Sequence, residues 1–267
     1  MRPENLTQAF ETFGITEAQT RQVISKAMSR GGEFCDLFFQ RSRTTHLALE
    51  DGAVNRASTS SDLGVGIRVV NGVETGYAYS ESLDNVSLLD AAAVAASVAS
   101  GASQAAPTAF KVGKQHDYYP ISVPYDDVPT LSKVALLKNL QERVAEIDPR
   151  VIKISVSYRD ETVDVLVVDS HGRVAFDHQP MTICYVSAVA EQNGKRESNY
   201  VGMGGREGFD FYTDARMEKA AQEVVERTTI LFDAVDGPVG EFPVVLGPGS
   251  SGILLHEAIG HGMEADA

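Results

Sequence analysis

The sequence predicts an α+β fold in which helices pack on mainly antiparallel meander sheets. Two-residue turns such as Asp51-Gly52 and Asn71-Gly72 join pairs of alternating apolar segments, a pattern typical of β-hairpins. These hairpins follow one another directly, whereas a parallel sheet would alternate strands with helices. Segments with helical periodicity precede and follow each group of hairpins. The sequence therefore predicts two α/β units with a motif helix at the C-terminus.

The first predicted domain, residues 1–105, opens with helical patterning over residues 4–30. Thr16 is the predicted N-cap of its second half, because Gln19 follows three positions later as in a capping box. The hairpin strands come next, and residues 84–100 then form a predicted Ala-rich helix. Its small side chains suit close packing against a sheet.

Residues 106–128 are the predicted linker, since they contain prolines and little periodicity. The middle α+β domain, residues 129–267, then begins with an amphipathic helix over residues 130–147. A meander of three or four strands follows, with turns predicted at Arg159-Asp160, Ser170-His171-Gly172 and Asn193-Gly194. The domain ends with a helix over residues 210–232, a short apolar strand over residues 242–246 and the motif helix.

Composition and charge exclude several classes of protein. The formal net charge of −14 argues against nucleic-acid binding, which requires clustered Lys and Arg. The N-terminal residues lack the apolar core of a signal peptide, and no segment is apolar enough to span a membrane. Cys35 and Cys184 each lie in an apolar, strand-like segment, which favours buried free thiols over a disulfide. We therefore expect a cytoplasmic protein that binds neither nucleic acid nor membrane.

The segment HEAIGHGMEADA contains two histidines, His256 and His261, that are five residues apart. In a regular α-helix, side chains at this spacing diverge by about 140°, so they could not chelate one ion. They converge only if the helix gains a residue, as in a π-bulge, or breaks between them. Gly260 directly precedes the second histidine, and glycine tolerates such a distortion better than other residues. The segment therefore predicts either a distorted metal site or a helix end that carries two histidines by chance.

If the site forms, the two histidines bind Zn²⁺ through neutral imidazole nitrogens. Glu257 would then act as the catalytic acid and base, taking a proton from the attacking water and returning it to the leaving amine. Catalytic zinc sites use three protein ligands and a water molecule. Glu264, Asp266 and Cys184 are candidates for the third ligand, and the spacing selects none of them.

The glycines that precede the motif allow a nucleotide-binding alternative. Gly247, Gly249 and Gly252 match G-x-G-x-x-G between a predicted strand and a helix. Against this alternative, Pro248 occupies the turn and no βαβ unit precedes it.

The stretch GPGSSGILLHEAIGHGMEAD strongly resembles the TldD branch of the TldD/PmbA family of zinc metallopeptidases, also called modulators of DNA gyrase. That family has an H-E-x-x-x-H motif with the spacing found in this sequence. The stretch LEDGAVNRASTSSDLGVGIRVVNGVETGYAYSESLD is similar to the first domain of the family. The resemblance extends over essentially the whole chain.

The resemblance implies a zinc-dependent peptidase that hydrolyses unfolded peptide segments, with His256 and His261 as metal ligands and Glu257 as the acid/base. It also implies a homodimer or a heterodimer with a PmbA/TldE-like subunit. The third zinc ligand of the family is a cysteine in a C-terminal domain, and this sequence ends at Ala267. We therefore expect an N-terminal fragment that is inactive as it stands. A non-catalytic interaction subunit is the alternative.

Overall fold

The computed structural model describes residues 5–98, 109–113, 118 and 120–264. The chain divides into two compact units, Met1–Phe232 and Asp233–Ala267. We refer to them as the sheet unit and the motif unit. Part of the predicted linker, namely residues 106–108, 114–117 and 119, lies outside the described residues. The domain boundaries at residues 105 and 129 stay a prediction.

The sheet unit combines five α-helices with seven strands in its described residues, which confirms the α+β class. The helices are α1 (Leu6–Glu11), α2 (Glu17–Ala27), α3 (Asn85–Ala95), α4 (Thr130–Ile147) and α5 (Asp214–Thr229). The strands are β1 (Phe34–Glu50), β2 (Ala53–Asn71), β3 (Glu74–Ser80), β4 (Lys111–Val112), β5 (Val151–Asp169), β6 (Arg173–Gln192) and β7 (Lys195–Gly205). None of the helices in the described ranges is both long and apolar enough to cross a membrane.

Local sequence signals account for the ends of these elements. Thr16 caps α2 in a capping box with Gln19, as predicted. At the β1–β2 hairpin, Asp51 and Gly52 both have positive φ, at 48° and 80°, as a type I′ turn requires. Asn193 joins β6 to β7 in the same way, with φ of 53°. These turn predictions are confirmed.

All seven strands form one sheet, in the order β3-β2-β1-β5-β6, with β4 and β7 both pairing with β6. The two predicted groups of strands therefore join, because β1 pairs along its length with β5, antiparallel from Asp36–Asp169 to Glu50–Ser155. Every pairing is antiparallel except the short contact between β4 and β6.

The turn predicted at Arg159-Asp160 is wrong, because β5 runs without interruption through both residues. Two adjacent charged residues resemble a surface turn in the sequence. In the fold, the Asp160 side chain is buried and forms a 2.6 Å ion pair with Lys133 of α4. The buried charge is compensated by this partner, so the strand can continue through it.

Two hydrophobic clusters lie on one face of the sheet. The first contains Leu37 and Phe39 of β1 and packs under α1, α2 and α3. The second contains Leu47 and Leu49 of the same strand and packs under α4 and α5. All four side chains point to one face, because residues two apart in a strand share a face. Each cluster also holds one cysteine, Cys35 or Cys184, and both thiols are buried and unpaired, as predicted.

A polar belt separates the two clusters on this face. It comprises Arg41 and Arg43 of β1, Asp160, Thr162 and Asp164 of β5, and His178 of β6, in neighbouring register positions. Burial raises the pKa of Asp164, but hydrogen bonds from His178 and Arg41 outweigh burial and hold that pKa below its ordinary value. The carboxylate of Asp164 is therefore paired within the belt and stays charged at neutral pH.

Candidate metal centre

The motif residues lie on a short distorted helix in the motif unit. An α-helical segment, Ser251–Leu255, continues into a π-helical turn, His256–Gly260, and then into a 3₁₀ turn, His261–Met263. The π-helical turn accommodates one residue more than an α-helical turn. Of the two distortions that would let these histidines converge, a π-bulge or a break, the structure shows the π-bulge.

The π-helical turn brings the two histidines together. The ring centroids of His256 and His261 are 4.5 Å apart, and the ring planes are inclined by 65°. Glu257 Oε2 lies 3.4 Å from Nε2 of His261. One potential ligand atom from each of these three residues lies within 4.8 Å of the others. Two histidines that a regular helix would hold apart can therefore contribute to one site.

These residues fit a zinc ion by donor type and by distance. Imidazole nitrogens are ligands that Zn²⁺ accepts, and Zn–N distances of about 2.0–2.1 Å place two tetrahedral nitrogens about 3.4 Å apart. The potential ligand atoms of His256 and His261 lie within 4.8 Å of one another, so small side-chain rotations would bring the two nitrogens to that geometry. The side chain of His261 is 54% exposed, so packing does not prevent such a rotation.

Gly260 contributes to this geometry for a reason that differs from the predicted one. Its backbone is ordinary right-handed helix, with φ of −58° and ψ of −47°, so conformational freedom is not required there. A Cβ atom on Gly260 would instead lie 3.0 Å from Nδ1 of His256. The missing side chain therefore makes room for the first imidazole beside the π-helical turn.

The described candidates for a third ligand, Cys184 and Glu264, lie in different environments. Cys184 lies in the second hydrophobic cluster, where burial raises the pKa of its thiol to about 12. Zinc binds the thiolate, so this environment disfavours Cys184 as a ligand. Glu264 Oε1 lies 2.7 Å from Nδ1 of His261, on the nitrogen that does not face Glu257. Asp266 lies outside the described residues.

The apolar segment before the motif helix, residues 242–246, does not form the predicted strand. Strands require a neighbour for their main-chain hydrogen bonds, and among residues 233–264 this segment has none. No strand therefore lies directly before Gly247, and the α-helical segment that follows has five residues. This arrangement excludes the dinucleotide-binding alternative, which requires a βαβ unit at this place.

Comparison with known proteins identifies the family. The model of the PmbA/TldA metallopeptidase domain 1 matches residues 35–101. The model of the PmbA/TldA metallopeptidase central domain matches residues 123–232. Together the two models match more than half of the chain. The chain belongs to the PmbA/TldD metallopeptidase family.

Curated members of this family include proteins named as metalloproteases. The "Metalloprotease TldD homolog" of Haemophilus influenzae is 35% identical over 244 residues, which cover 89% of this chain and 51% of that protein. The homologue of the same name from Buchnera aphidicola (strain Sg) is 29% identical over 88% of this chain and 50% of its own length. A "Metalloprotease" of Methanothermobacter thermautotrophicus is 24% identical over 88% and 51%. The chain thus spans about half the length of the curated relatives it matches.

Solved structures of PmbA/TldD proteins share the fold. A Thermotoga maritima protein described as a modulator of DNA gyrase superposes with a TM-score of 0.67 at 18% identity, over 84% of this chain and 50% of that chain. TldE from Thermococcus kodakarensis superposes with a TM-score of 0.58 at 19% identity, over 78% and 47%. At these sequence identities the similarity shows a shared fold alone.

Proposed function

We propose that this chain carries the two histidine ligands and the acid/base of a zinc-dependent peptidase. The convergence of His256, Glu257 and His261 on a π-helical turn is the observation that carries the proposal. The names of the curated relatives, which are metalloproteases, support it. A bound Zn²⁺ would act as a Lewis acid that polarises the scissile carbonyl group.

Glu257 is suited to move the protons of the reaction. Its carboxylate lies beside the two imidazoles and is 61% exposed, so that a water molecule and a substrate can reach it. We assign it the transfer of a proton from the attacking water to the nitrogen of the leaving amine as the C–N bond breaks. The two histidines would hold the ion beside this carboxylate through one nitrogen each.

Unfolded peptide segments are the proposed substrate. A scissile bond has to contact the site with its main-chain carbonyl and nitrogen, and these groups are hydrogen-bonded to one another in helices and sheets. A segment without secondary structure presents its carbonyl and N–H groups without first having to break these hydrogen bonds. The remaining ligand is proposed to be the family cysteine that the resemblance implies, and a cytoplasmic location stays a prediction of the sequence.

Substitution of Glu257 by Gln tests the proposal in the purified full-length protein, because the fragment by itself is expected to be inactive. We expect loss of cleavage of an unfolded polypeptide by about 10²- to 10⁴-fold, as for the loss of a general acid/base, with zinc content unchanged. His256→Ala and His261→Ala should lower zinc content as well as cleavage. Metal analysis and cleavage of a carboxymethylated protein substrate are the two measurements. Cleavage by the Glu257→Gln variant at the wild-type rate would refute the role of this residue.

A non-catalytic interaction subunit is the alternative function, and it predicts a zinc-free protein in a stable complex. The fold likeness to TldE supports a partnership of the TldD/TldE type. We propose either a homodimer or a heterodimer with a PmbA/TldE-like subunit. Zinc content measured on the purified complex separates the catalytic subunit from the non-catalytic one, because only the former requires the metal.

A further inference from the structure

The imidazole of His261 has a carboxylate at each nitrogen. Nδ1 lies 2.7 Å from Oε1 of Glu264, whereas Nε2 lies 3.4 Å from Oε2 of Glu257. The first distance is that of a hydrogen bond between an imidazole N–H and a carboxylate. The second nitrogen faces the group of potential ligand atoms formed with His256. The two sides of this ring are therefore not equivalent.

The 3₁₀ turn after the π-helical turn places Glu264 beside this ring. Side chains three residues apart eclipse one another in a 3₁₀ turn, and Glu264 follows His261 by three. The turn ends at Glu264, where the backbone becomes extended with φ of −73° and ψ of 154°. The main-chain N–H of Glu264 donates to the His261 carbonyl and closes the turn.

The tautomer of His261 follows from this contact. A neutral imidazole carries one N–H, and an ionised carboxylate can only accept a hydrogen bond. The proton therefore lies on Nδ1, and the lone pair on Nε2 points toward Glu257. The lone pair on Nε2 is available to a cation on the side of the ring where His256 also lies.

We propose that Glu264 is a positioning residue, which holds His261 in the Nδ1–H tautomer and directs Nε2 to the metal. The proposal rests on the proposed function, in which His261 is a metal ligand. It assigns Glu264 an outer role and excludes it as the third ligand, because it contacts the nitrogen on the other side of the ring. Outer carboxylates of this kind fix the orientation of ligating histidines and raise their basicity.

An ordinary surface ion pair is the competing explanation, since the side chains of His261 and Glu264 are 54% and 51% exposed. Such pairs contribute little to stability, so removing the carboxylate would leave the tautomer and the zinc affinity of His261 unchanged. The two explanations differ in what they predict for the metal-free imidazole and for zinc affinity.

The experiment compares Glu264→Ala and Glu264→Gln with Glu241→Gln, a control that changes an exposed carboxylate elsewhere in the motif unit. Long-range ¹H–¹⁵N NMR of the metal-free protein reads the tautomer at about pH 8.5, well above the ordinary histidine pKa of about 6.5. The His261 signal is assigned by its absence in His261→Ala. Competition with a chromophoric chelator gives the dissociation constant for zinc.

We expect the Nδ1–H tautomer in the wild type and the control, and its loss in Glu264→Ala. Zinc affinity should fall by about 10- to 100-fold in Glu264→Ala, as for other outer carboxylates. Glu264→Gln should keep the tautomer, because its amide oxygen still accepts the hydrogen bond, and lose less affinity.

Retention of both tautomer and affinity in Glu264→Ala would overturn the proposal in favour of a surface ion pair. Loss of affinity with an unchanged tautomer would also overturn it, by making Glu264 a ligand. A wild-type protein that binds no zinc would refute the proposed function instead. The tautomer is measured without metal, so the two failures are distinguishable.

Discussion

At the scale of single residues, the site depends on one missing side chain. His256 and Gly260 lie four residues apart, and the π-helical turn brings the imidazole over the glycine. An ideal Cβ there would sit 3.0 Å from Nδ1, closer than nine in ten real Cβ contacts. Either the ring or the turn would have to move to accept it.

Substitution of Gly260 by Ala should weaken zinc binding by about tenfold, which corresponds to about 1.4 kcal/mol. Alanine also raises helix propensity by about 1 kcal/mol at each helical position, so propensity needs a control. Gly252→Ala and Gly262→Ala provide it, because a Cβ at either position meets no atom within 4 Å. We expect both controls to bind zinc as the wild type does in the chelator competition. Equal affinities for all three variants would contradict the proposed crowding of His256.

At the scale of elements, the Lys133–Asp160 ion pair joins α4 to β5. The two side chains are 5% and 6% exposed and their charged atoms are 2.6 Å apart. The ammonium group also lies 5.8 Å from the centre of the Tyr158 ring. A charge buried to this extent depends on its partner, because removing either one leaves the other uncompensated in the interior.

Lys133→Met should lower the free energy of unfolding by about 3–5 kcal/mol, as for one partner of a buried pair. The double variant Lys133→Met/Asp160→Leu should recover much of this loss, since no buried charge remains. Arg68→Met is the matched control: it breaks the Arg68–Asp36 pair, whose arginine is 51% exposed, and should cost less than about 1 kcal/mol. Urea unfolding gives all three values. A double variant less stable than Lys133→Met would disprove this explanation.

At the scale of the whole molecule, one sheet supports two hydrophobic clusters. Strand β1 contributes Leu37 to the first and Leu47 to the second, and β5 contributes Val168 and Tyr158 in the same way. The long strands thus run from one cluster to the other through the polar belt. Because both clusters are built on the same continuous strands, we expect the clusters to unfold together.

The two cysteines report on this cooperativity, one from each cluster. Burial raises the pKa of both thiols to about 12, and for Cys35 the charges of Asp36 and Asp169 add to it. Neither thiol should react with an alkylating reagent in the native state. In a urea series with pulsed alkylation, read by mass spectrometry, Cys35 and Cys184 should become reactive at the same midpoint. Cys35→Ser and Cys184→Ser assign the two labels.

Separate midpoints for the two thiols would contradict a single cooperative sheet unit. They would support the sequence-based division into domains at residues 1–105 and 129–267. The experiment therefore decides between one folding unit and two.

Much of the fold was predictable because its signals are local. Capping residues, Asp-Gly and Asn-Gly turns and helical periodicity act within a few residues, and they define the ends of α2, β1 and α4. The turn predicted at Asp160 and the strand predicted at residues 242–246 are wrong for the opposite reason. Whether a charge can be buried, or an apolar run can become a strand, depends on a partner that the segment itself does not contain.

By itself, the sequence determined the order of the elements, the hairpin turns and the five-residue spacing that requires a distorted helix. The tertiary structure decided that two groups of strands form one sheet, that Lys133 compensates Asp160, and that a side chain at Gly260 would crowd His256. Backbone preferences of neighbouring residues account for the first set. The second set depends on how atoms brought together by folding fill space and compensate charge, which no local preference specifies.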